Sequence, residues 1–347
     1  MVLTPHLSDS DPGIFSPSRN IFLKKFLARN LLEFREKTEA SKYRTMDLIA
    51  HIPWIELHAV DHCNNVCRHC NQRSPHAFRR DYAPGDYLPW LDKLDTLKAS
   101  FDQINITGGE PFLHADLAYF AGAFRRRFPN KTIVVISNGF WLSEDAYAAH
   151  EALFDSINAL VFSIYPNIAH FHGGREAMLA KLGRLKERYP GLEIITVGRT
   201  EFYPISFHAQ VAPPATPCRW ADCTGLLPDG RLARCTVAAY AHIGQTPPRA
   251  ASARTAPPGS LDPLALSAPL DSRDLYFDLH GDLTGLAAWR AKWPLDVCSR
   301  CTAGSAGPLP WKAGAPTRRL DYEAEYFGRL RTVAAPERPG SDPWNVF

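Results

Sequence analysis

The sequence predicts an α/β fold: a parallel sheet or barrel of βα units, followed by a smaller hairpin-and-helix region. Three observations predict it. Between residues 53 and 202, apolar strand-like runs alternate with helical stretches, the rhythm of successive βα units. After Pro204 that rhythm stops and turn-rich sequence takes over. The eight cysteines fall in two groups, one directly after the first strand-like run and one in the turn-rich part.

The elements follow in order. Residues 1–18 are rich in Pro, Ser and Asp and read as irregular chain. In NIFLKKFLARNLLEFREK, Phe22, Phe26, Leu27, Leu31 and Phe34 recur at helical spacing between Lys and Arg. Residues 1–52 are therefore expected to be an N-terminal extension with one amphipathic helix, packed on the main domain in preference to a membrane surface. Residues 53–210 are the expected core. Its strands are WIELHAV (54–60), QINITG (103–108), TIVVISN (132–138), ALVFSIY (159–165) and LEIITVG (192–198), with no evident sixth. LAYFAGAFRRRF and REAMLAKLGRLKERY are among the intervening helices. Residues 211–320 form the expected second region. There TGLLPDGRLARCT (224–236) reads as a hairpin turning at Pro228-Asp229-Gly230, and LTGLAAWRAKW (283–293) as a helix leading into DVCSRC. Residues 246–272, rich in Pro, Ala and Ser, read as an insertion, and 321–347 as a tail.

Bulk properties exclude several classes of function. A net charge of +3 with no Lys/Arg stripe gives nucleic acid no electrostatic footprint. No apolar run reaches the ~18 residues that a membrane helix needs. The N-terminus has no basic region followed by an apolar one, so the chain is expected in the cytoplasm, where cysteines stay reduced. Clustered cysteines then read as metal ligands or catalysts before disulfides.

DHCNNVCRHC (61–70) places Cys63, Cys67 and Cys70 at C-x3-C-x2-C spacing, directly after the first strand. That position is the C-terminal mouth of a parallel strand, where α/β barrels put their chemistry. Soft thiolates suit zinc or an iron–sulfur cluster. A structural zinc site wants a fourth ligand. A cubane held by three cysteines keeps one iron open. The second strand ends in ITGGEPFLH and the third in ISNG. Together with the cysteine triplet, these motifs resemble the radical SAM superfamily over roughly residues 50–202.

The resemblance implies a partial (β/α)6 TIM-like barrel. It implies a [4Fe-4S] cluster on Cys63, Cys67 and Cys70, and S-adenosylmethionine on its open iron. SAM is then cleaved to methionine and a 5′-deoxyadenosyl radical that removes a hydrogen atom from substrate. Gly108, Gly109, Glu110 and Pro111 would line the methionine end, with Glu110 accepting from the amino group. Ser137 and Asn138 would sit near the ribose or carboxylate. His69 stands where the family commonly has an aromatic residue. Gly198 and Arg199 match part of a fifth-strand motif that lies near adenine.

Cys218, Gly230, Cys235, Cys298 and Cys301 resemble the shortened auxiliary-cluster (twitch/SPASM-like) domain found after some radical SAM cores. The resemblance implies a second [4Fe-4S] cluster on Cys218, Cys235, Cys298 and Cys301, with zinc as the alternative. Cys223 is left over: a buried inert thiol, a substitute ligand, or a hydrogen-atom donor to a substrate radical. A single auxiliary cluster is the arrangement of 2-deoxy-scyllo-inosamine dehydrogenase. The expected activity is oxidation of a small hydroxylated molecule, a sugar, cyclitol or nucleoside-type precursor in natural product biosynthesis, with flavodoxin or ferredoxin as reductant. Alternatives are an epimerase using Cys223, a peptide-modifying enzyme, and a non-catalytic metal-binding regulator. Arg73, His76, Arg79, Arg80, Tyr165, His170 and His172 are candidate substrate contacts.

Overall fold

The computed structural model describes residues 51–97, 101–202, 212–213, 218, 220–221, 223–240, 274–302 and 309–313. All of them fall within one compact unit, Ile49–Phe347. The expected N-terminal helix, the 246–272 insertion and the 321–347 tail lie outside the described residues.

Strands β1 (Ile52–Val60), β2 (Phe101–Gly108), β3 (Thr132–Ser137), β4 (Ala159–Ile164) and β5 (Glu193–Gly198) pair in parallel and in chain order. These are the five strands expected from the sequence, each within two residues of its expected start. β6 (Glu201–Phe202) pairs with β10 (Leu309–Pro310) in a separate two-stranded sheet. A sixth parallel strand joins the arc from its other side: β7 (Thr224–Leu226) runs alongside β1, Ile55 opposite Thr224 and Glu56 opposite Gly225. β8 (Arg231–Ala233) and β9 (Tyr276–Asp278) extend the same sheet antiparallel, so its order is β5-β4-β3-β2-β1-β7-β8-β9. The chain is thus a mixed α/β protein with a mostly parallel sheet, consistent with a partial TIM-like barrel.

Helices α1 (Leu88–Asp95), α2 (Leu117–Arg127), α3 (Glu144–Ala149), α4 (Glu151–Phe154), α5 (Pro166–Phe171) and α6 (Arg175–Arg188) alternate with the strands. Helix α2 buries Leu117, Phe120, Ala121 and Phe124, the i, i+3, i+4, i+7 positions of one face. Its first turn is capped by the Asp116 side chain, which accepts from Tyr119 N at 2.9 Å. Such faces pack on the outer rows of the strands: Ile55, Leu57 and Ala59 on β1, Ile104 and Ile106 on β2, Ile133 and Val135 on β3.

The inner face differs. Strands of a parallel sheet covered on both sides are usually apolar throughout. Here the residues alternating with those rows are Glu56 and His58 on β1 and Gln103, Asn105 and Thr107 on β2, with Ser163 on β4. The register sets Glu56 beside Asn105 and His58 beside Thr107. The arc therefore encloses a buried polar row.

The hairpin turns where expected, and Gly230 has φ +80° there. A Cβ on Gly230 would lie 2.9 Å from the Trp90 ring of α1. Trp90 Nε1 donates to Pro228 O at 3.3 Å, and Lys93 Nζ to Leu279 O at 2.7 Å. A short helix α7 (Thr236–Ala239) follows β8, and α8 (Leu286–Ala291) lies within the expected 283–293 helix.

Candidate active site

The mouth of the arc is built by the end of β1, the loop it feeds and the end of β2. Gly109 N donates to Val60 O at 2.8 Å and Glu110 N to His62 O at 3.0 Å, so the two strand ends are stitched together. A Cβ on Gly108 (φ +127°) would lie 2.0 Å from Val60 O, and one on Gly109 1.8 Å from His62 O. Both glycines are therefore required by the approach of this chain's own backbone.

Beyond that stitch the loop curls tightly: Cys70 N donates to Cys67 O at 3.3 Å and Arg73 N to Cys70 O at 3.1 Å, with Arg73 in the left-handed region at φ 57°. The three thiols share one electrostatic environment. Burial pushes all three up, Cys67 to about 12, and the negative charge of neighbouring thiolates adds to the rise at Cys63 and Cys67.

These surroundings fit an iron–sulfur cluster. Thiolates clustered in a buried place need a polycation to neutralise them and N–H groups to share their charge. Asn65 N donates to Cys63 Sγ at 3.3 Å and Trp311 Nε1 to Cys67 Sγ at 3.3 Å. Backbone N–H groups of Gln72, Arg73 and Ser74 do the same for Cys70. Among the described residues, no three Cys, His, Asp or Glu side chains converge closely enough to chelate a single ion.

Glu110, Ser137 and Asn138 come together beside Cys63. The Glu110 carboxylate accepts from Ser137 Oγ at 2.7 Å, Asn138 N at 2.7 Å and Phe112 N at 3.2 Å. Asn138 Nδ2 reaches Asn64 Oδ1 at 2.9 Å. Glu110 is buried, and burial raises it to about 7 against the pull of those donors. A carboxylate offers about four lone-pair positions, so one remains for a ligand amine. Pro111 opens the single turn behind it. Arg199 sits at the end of β5, its N–H on Ile164 O at 2.9 Å and its Nε donating to Ser163 Oγ at 3.3 Å. Gly198 has open space where a Cβ would be. His69 is half-buried between Cys67 and Cys70.

The sequence profile of the Radical SAM superfamily matches residues 59–203. That segment is a radical SAM domain. Enzymes with this domain use a [4Fe-4S] cluster and SAM. The match begins at the end of β1 and ends just after β6, so it takes in the mouth and strands β2 to β5. A GTP 3′,8-cyclase from Nautilia profundicola is 26% identical over 123 residues, covering 34% of this chain and 37% of that protein. An S-adenosylmethionine-dependent nucleotide dehydratase from Selenomonas ruminantium is 32% identical over 117 residues, 32% of this chain and 40% of that protein. The chain thus spans well under half the length of these relatives. Among solved structures, BtrN in complex with AdoMet and 2-DOIA is 18% identical at a TM-score of 0.36, over 54% of this chain and 74% of that one. Streptococcus suis SuiB bound to S-adenosylmethionine is 12% identical at a TM-score of 0.32, over 66% of each chain.

The polar interior of the arc continues below the mouth. Glu56 is raised to about 7 by burial, against the opposing effects of His58, Gln72, Arg199 and Thr236. His58 bonds Asp61 Oδ1 through Nδ1 at 2.9 Å and Gln72 Oε1 through Nε2 at 3.1 Å, and stacks on Tyr240 at 3.7 Å. The Thr236 hydroxyl is buried beside the Glu56 carboxylate, and the Tyr240 hydroxyl is buried with no hydrogen-bond partner among the described residues. The Tyr240 hydroxyl and the Thr236 methyl both face the inner side of Gly225, the residue opposite Glu56.

The second group of cysteines gathers at the other end of β1. Cys235, Cys298 and Cys301 line a small apolar core with Val237, Leu275, Leu295, Val297 and Trp220. Cys218 lies close enough to Cys298 to raise its thiol, behind the larger effect of burial. Cys223 precedes β7, where Thr236 N donates to its carbonyl at 2.9 Å. It is level with Trp54, about 20 Å along the strand from Val60 at ~3.3 Å per residue. The fold does not bring Cys223 to the mouth, though it has the parity of Gly225 and hence of Glu56. None of the eight cysteines forms a disulfide.

Several expected substrate contacts have other duties. His172 accepts from Lys181 Nζ at 3.0 Å and bonds Gly139 O at 2.8 Å, and burial lowers it to about 4, so it ties α6 to the turn after β3. Arg80 lies over the Tyr82 ring at 4.5 Å. Tyr165 is half-buried beside the cysteine triplet. Glu56, Thr236, Tyr240 and Trp311 were missed. The alternation of polar and apolar residues in WIELHAV and QINITG was the available signal for the first; the others depend on long-range contacts.

Proposed function

We propose that this chain removes a hydrogen atom from a small hydroxylated molecule held inside the arc and oxidises it. When bound, a cluster on Cys63, Cys67 and Cys70 with SAM would supply the 5′-deoxyadenosyl radical, and one on Cys218, Cys235, Cys298 and Cys301 would take up the electron released. The observation that carries this reading is the polar group of half-buried Glu56 with buried Thr236 and Tyr240, which lies along β1 between the two sets of cysteines. A buried hydroxyl without a partner, as at Tyr240, is rare unless something fills the space. Hydroxyl groups of a substrate could donate to Glu56 and both donate to and accept from Thr236 and Tyr240. Glu56, near neutrality in its proton affinity, could also take the hydroxyl proton released when an alcohol becomes a carbonyl. Arg199 supports the same reading as a cation on the opposite wall. Glu110, Ser137 and Asn138 would hold the methionine end of SAM, and Gly108, Gly109, Pro111, His69, Gly198 and Arg199 would shape its pocket. An external reductant such as flavodoxin or ferredoxin would serve the first cluster.

Cys223 keeps a second reading open, because its parity matches that of Glu56. As a hydrogen-atom donor it would make the chain an epimerase. The test is anaerobic turnover with SAM and dithionite against a panel of cyclitols, sugars, nucleosides and peptides. Oxidation predicts one small molecule that accelerates 5′-deoxyadenosine formation and loses two hydrogens. An inverted product carrying solvent deuterium, abolished by Cys223→Ala, would replace oxidation with epimerisation. Modification of peptides alone would overturn the small-substrate reading.

A further inference from the structure

The segment 309–313 lies against the cysteine loop although 244 residues separate Cys67 from Trp311. β10 pairs antiparallel with β6, Leu309 opposite Phe202 and Pro310 opposite Glu201. Trp311 N then donates to Thr200 O at 2.7 Å, Arg68 N donates to Lys312 O at 3.1 Å, and Ala313 makes a bridge with Cys67. Backbone contacts before, at and after Trp311 thus fix the strap against two elements of the mouth. The indole packs near Tyr165, at 6.3 Å between ring centres, and Tyr165 stacks on Phe202 at 6.0 Å. Held this way, Trp311 Nε1 points at Cys67 Sγ from 3.3 Å.

We propose that Trp311 is a positioning residue for the cluster of the radical SAM domain, and that its indole N–H raises the reduction potential of that cluster through Cys67. A reduced cluster carries one more negative charge than an oxidised one, and its sulfurs bear part of it. A donor on a ligand sulfur therefore stabilises the reduced form more than the oxidised form. Cys67 is the sulfur for which this should count most among neutral side chains. It is 7% exposed, so water contributes little, and its donor comes from a side chain that can be replaced without altering the loop backbone. Cys63 and Cys70 take their donors chiefly from the backbone of the loop itself. Trp is apt for the position because the indole N–H only donates, so it cannot compete as a ligand for iron. The inference needs the cluster but is independent of the substrate, so failure of the oxidase reading would leave it standing.

The experiment is an EPR-monitored redox titration of the anaerobically reconstituted full chain, wild type against Trp311→Phe. The cluster in question is assigned by the change in its signal when SAM is added. The phenyl ring keeps most of the packing and removes the donor. The expected result is unchanged iron content with a more negative potential for the SAM-responsive cluster. Trp311→His, which restores a ring N–H, should recover part of the shift. An unchanged potential in the Phe variant at full iron content would overturn the proposal. Should the variant fail to hold iron, wild-type protein labelled with 15N in its indoles decides the matter. The reduced, SAM-responsive cluster should then show an electron–nuclear coupling to 15N, and its absence would equally overturn the proposal.

Discussion

Two carboxylates, the half-buried Glu56 and the fully buried Glu110, are held near neutrality by the same cause and used differently. Glu110 is satisfied by three donors and acts as a knot between the ends of β2 and β3. Glu56 has the Gln72 and Thr236 side chains for company and lies near the Tyr240 hydroxyl, which has no partner among the described residues. Its pKa rises from 4.5 to about 7 because burial disfavours the charged form. The folded state therefore binds the proton more tightly than the unfolded chain does. Glu56 thus costs nothing at pH 4.5, and its cost grows as pH rises through about 7. Glu56→Gln keeps the shape without the charge. The difference in Tm between the Gln variant and wild type should consequently shift in favour of the variant between pH 5.5 and 8, each unit of pKa shift being about 1.4 kcal/mol. A difference that is flat or reversed with pH would remove burial as the cause. The alternation in WIELHAV gives the face on which Glu56 lies but not that the sheet encloses that face, since a Glu in an amphipathic strand ordinarily faces water.

At the scale of elements, the turn from β2 into its helix is the part that tolerates least. Gly109 has the His62 carbonyl where a side chain would begin. Gly109→Ala must pull β2 away from the cysteine loop, breaking the bonds of Gly109 N and Glu110 N to that loop. Two net hydrogen bonds of about 1 kcal/mol each, plus strain, give an expected loss of 2–4 kcal/mol. Iron retention should fall with it. A variant of native stability and iron content would show that the loop can move freely. The five βα units and the hairpin were readable because periodicity and turn chemistry are local. So were the GGEP stretch and the cysteine triplet, although the reason for the glycines was not. The sequence suggests a ligand as the close neighbour; in the fold it is the chain's own carbonyl. α1, β7's pairing with β1, and β10 escaped because their partners lie far away: LPWLDKLD is short, three residues make a strand only beside β1, and Leu309–Pro310 is a strand only beside β6.

For the whole molecule, the decisive contact is the pairing of β7 with β1. It makes the hairpin β7–β8 and β9 an extension of the core sheet. α1 grips the hairpin from one side through Trp90 and Lys93. α8 grips from another, with Arg290 donating to Thr224 Oγ1 at 3.1 Å and to His51 O at 3.2 Å. The expected boundary at 210/211 is therefore crossed by sheet hydrogen bonds. Native-state hydrogen exchange should find amides of β8 and β2 opening with one free energy, as members of one cooperative unit. Independent opening of β8 at much lower cost would show that the hairpin is merely docked.

The same pairing makes β1 a ruler. An extended strand neither stretches nor flexes along its axis, so the interval between the loop of Cys63 and the level of Cys235 is a count of residues. If electrons pass between the two sets of cysteines as proposed, strand length sets the distance they cross. A single residue inserted into β1 would turn Glu56 to the outer face. Two inserted residues would restore its facing and lengthen the gap by about 7 Å. On the proposed reading, such a chain would keep every side chain of the site and pass electrons between its two sets of cysteines more slowly.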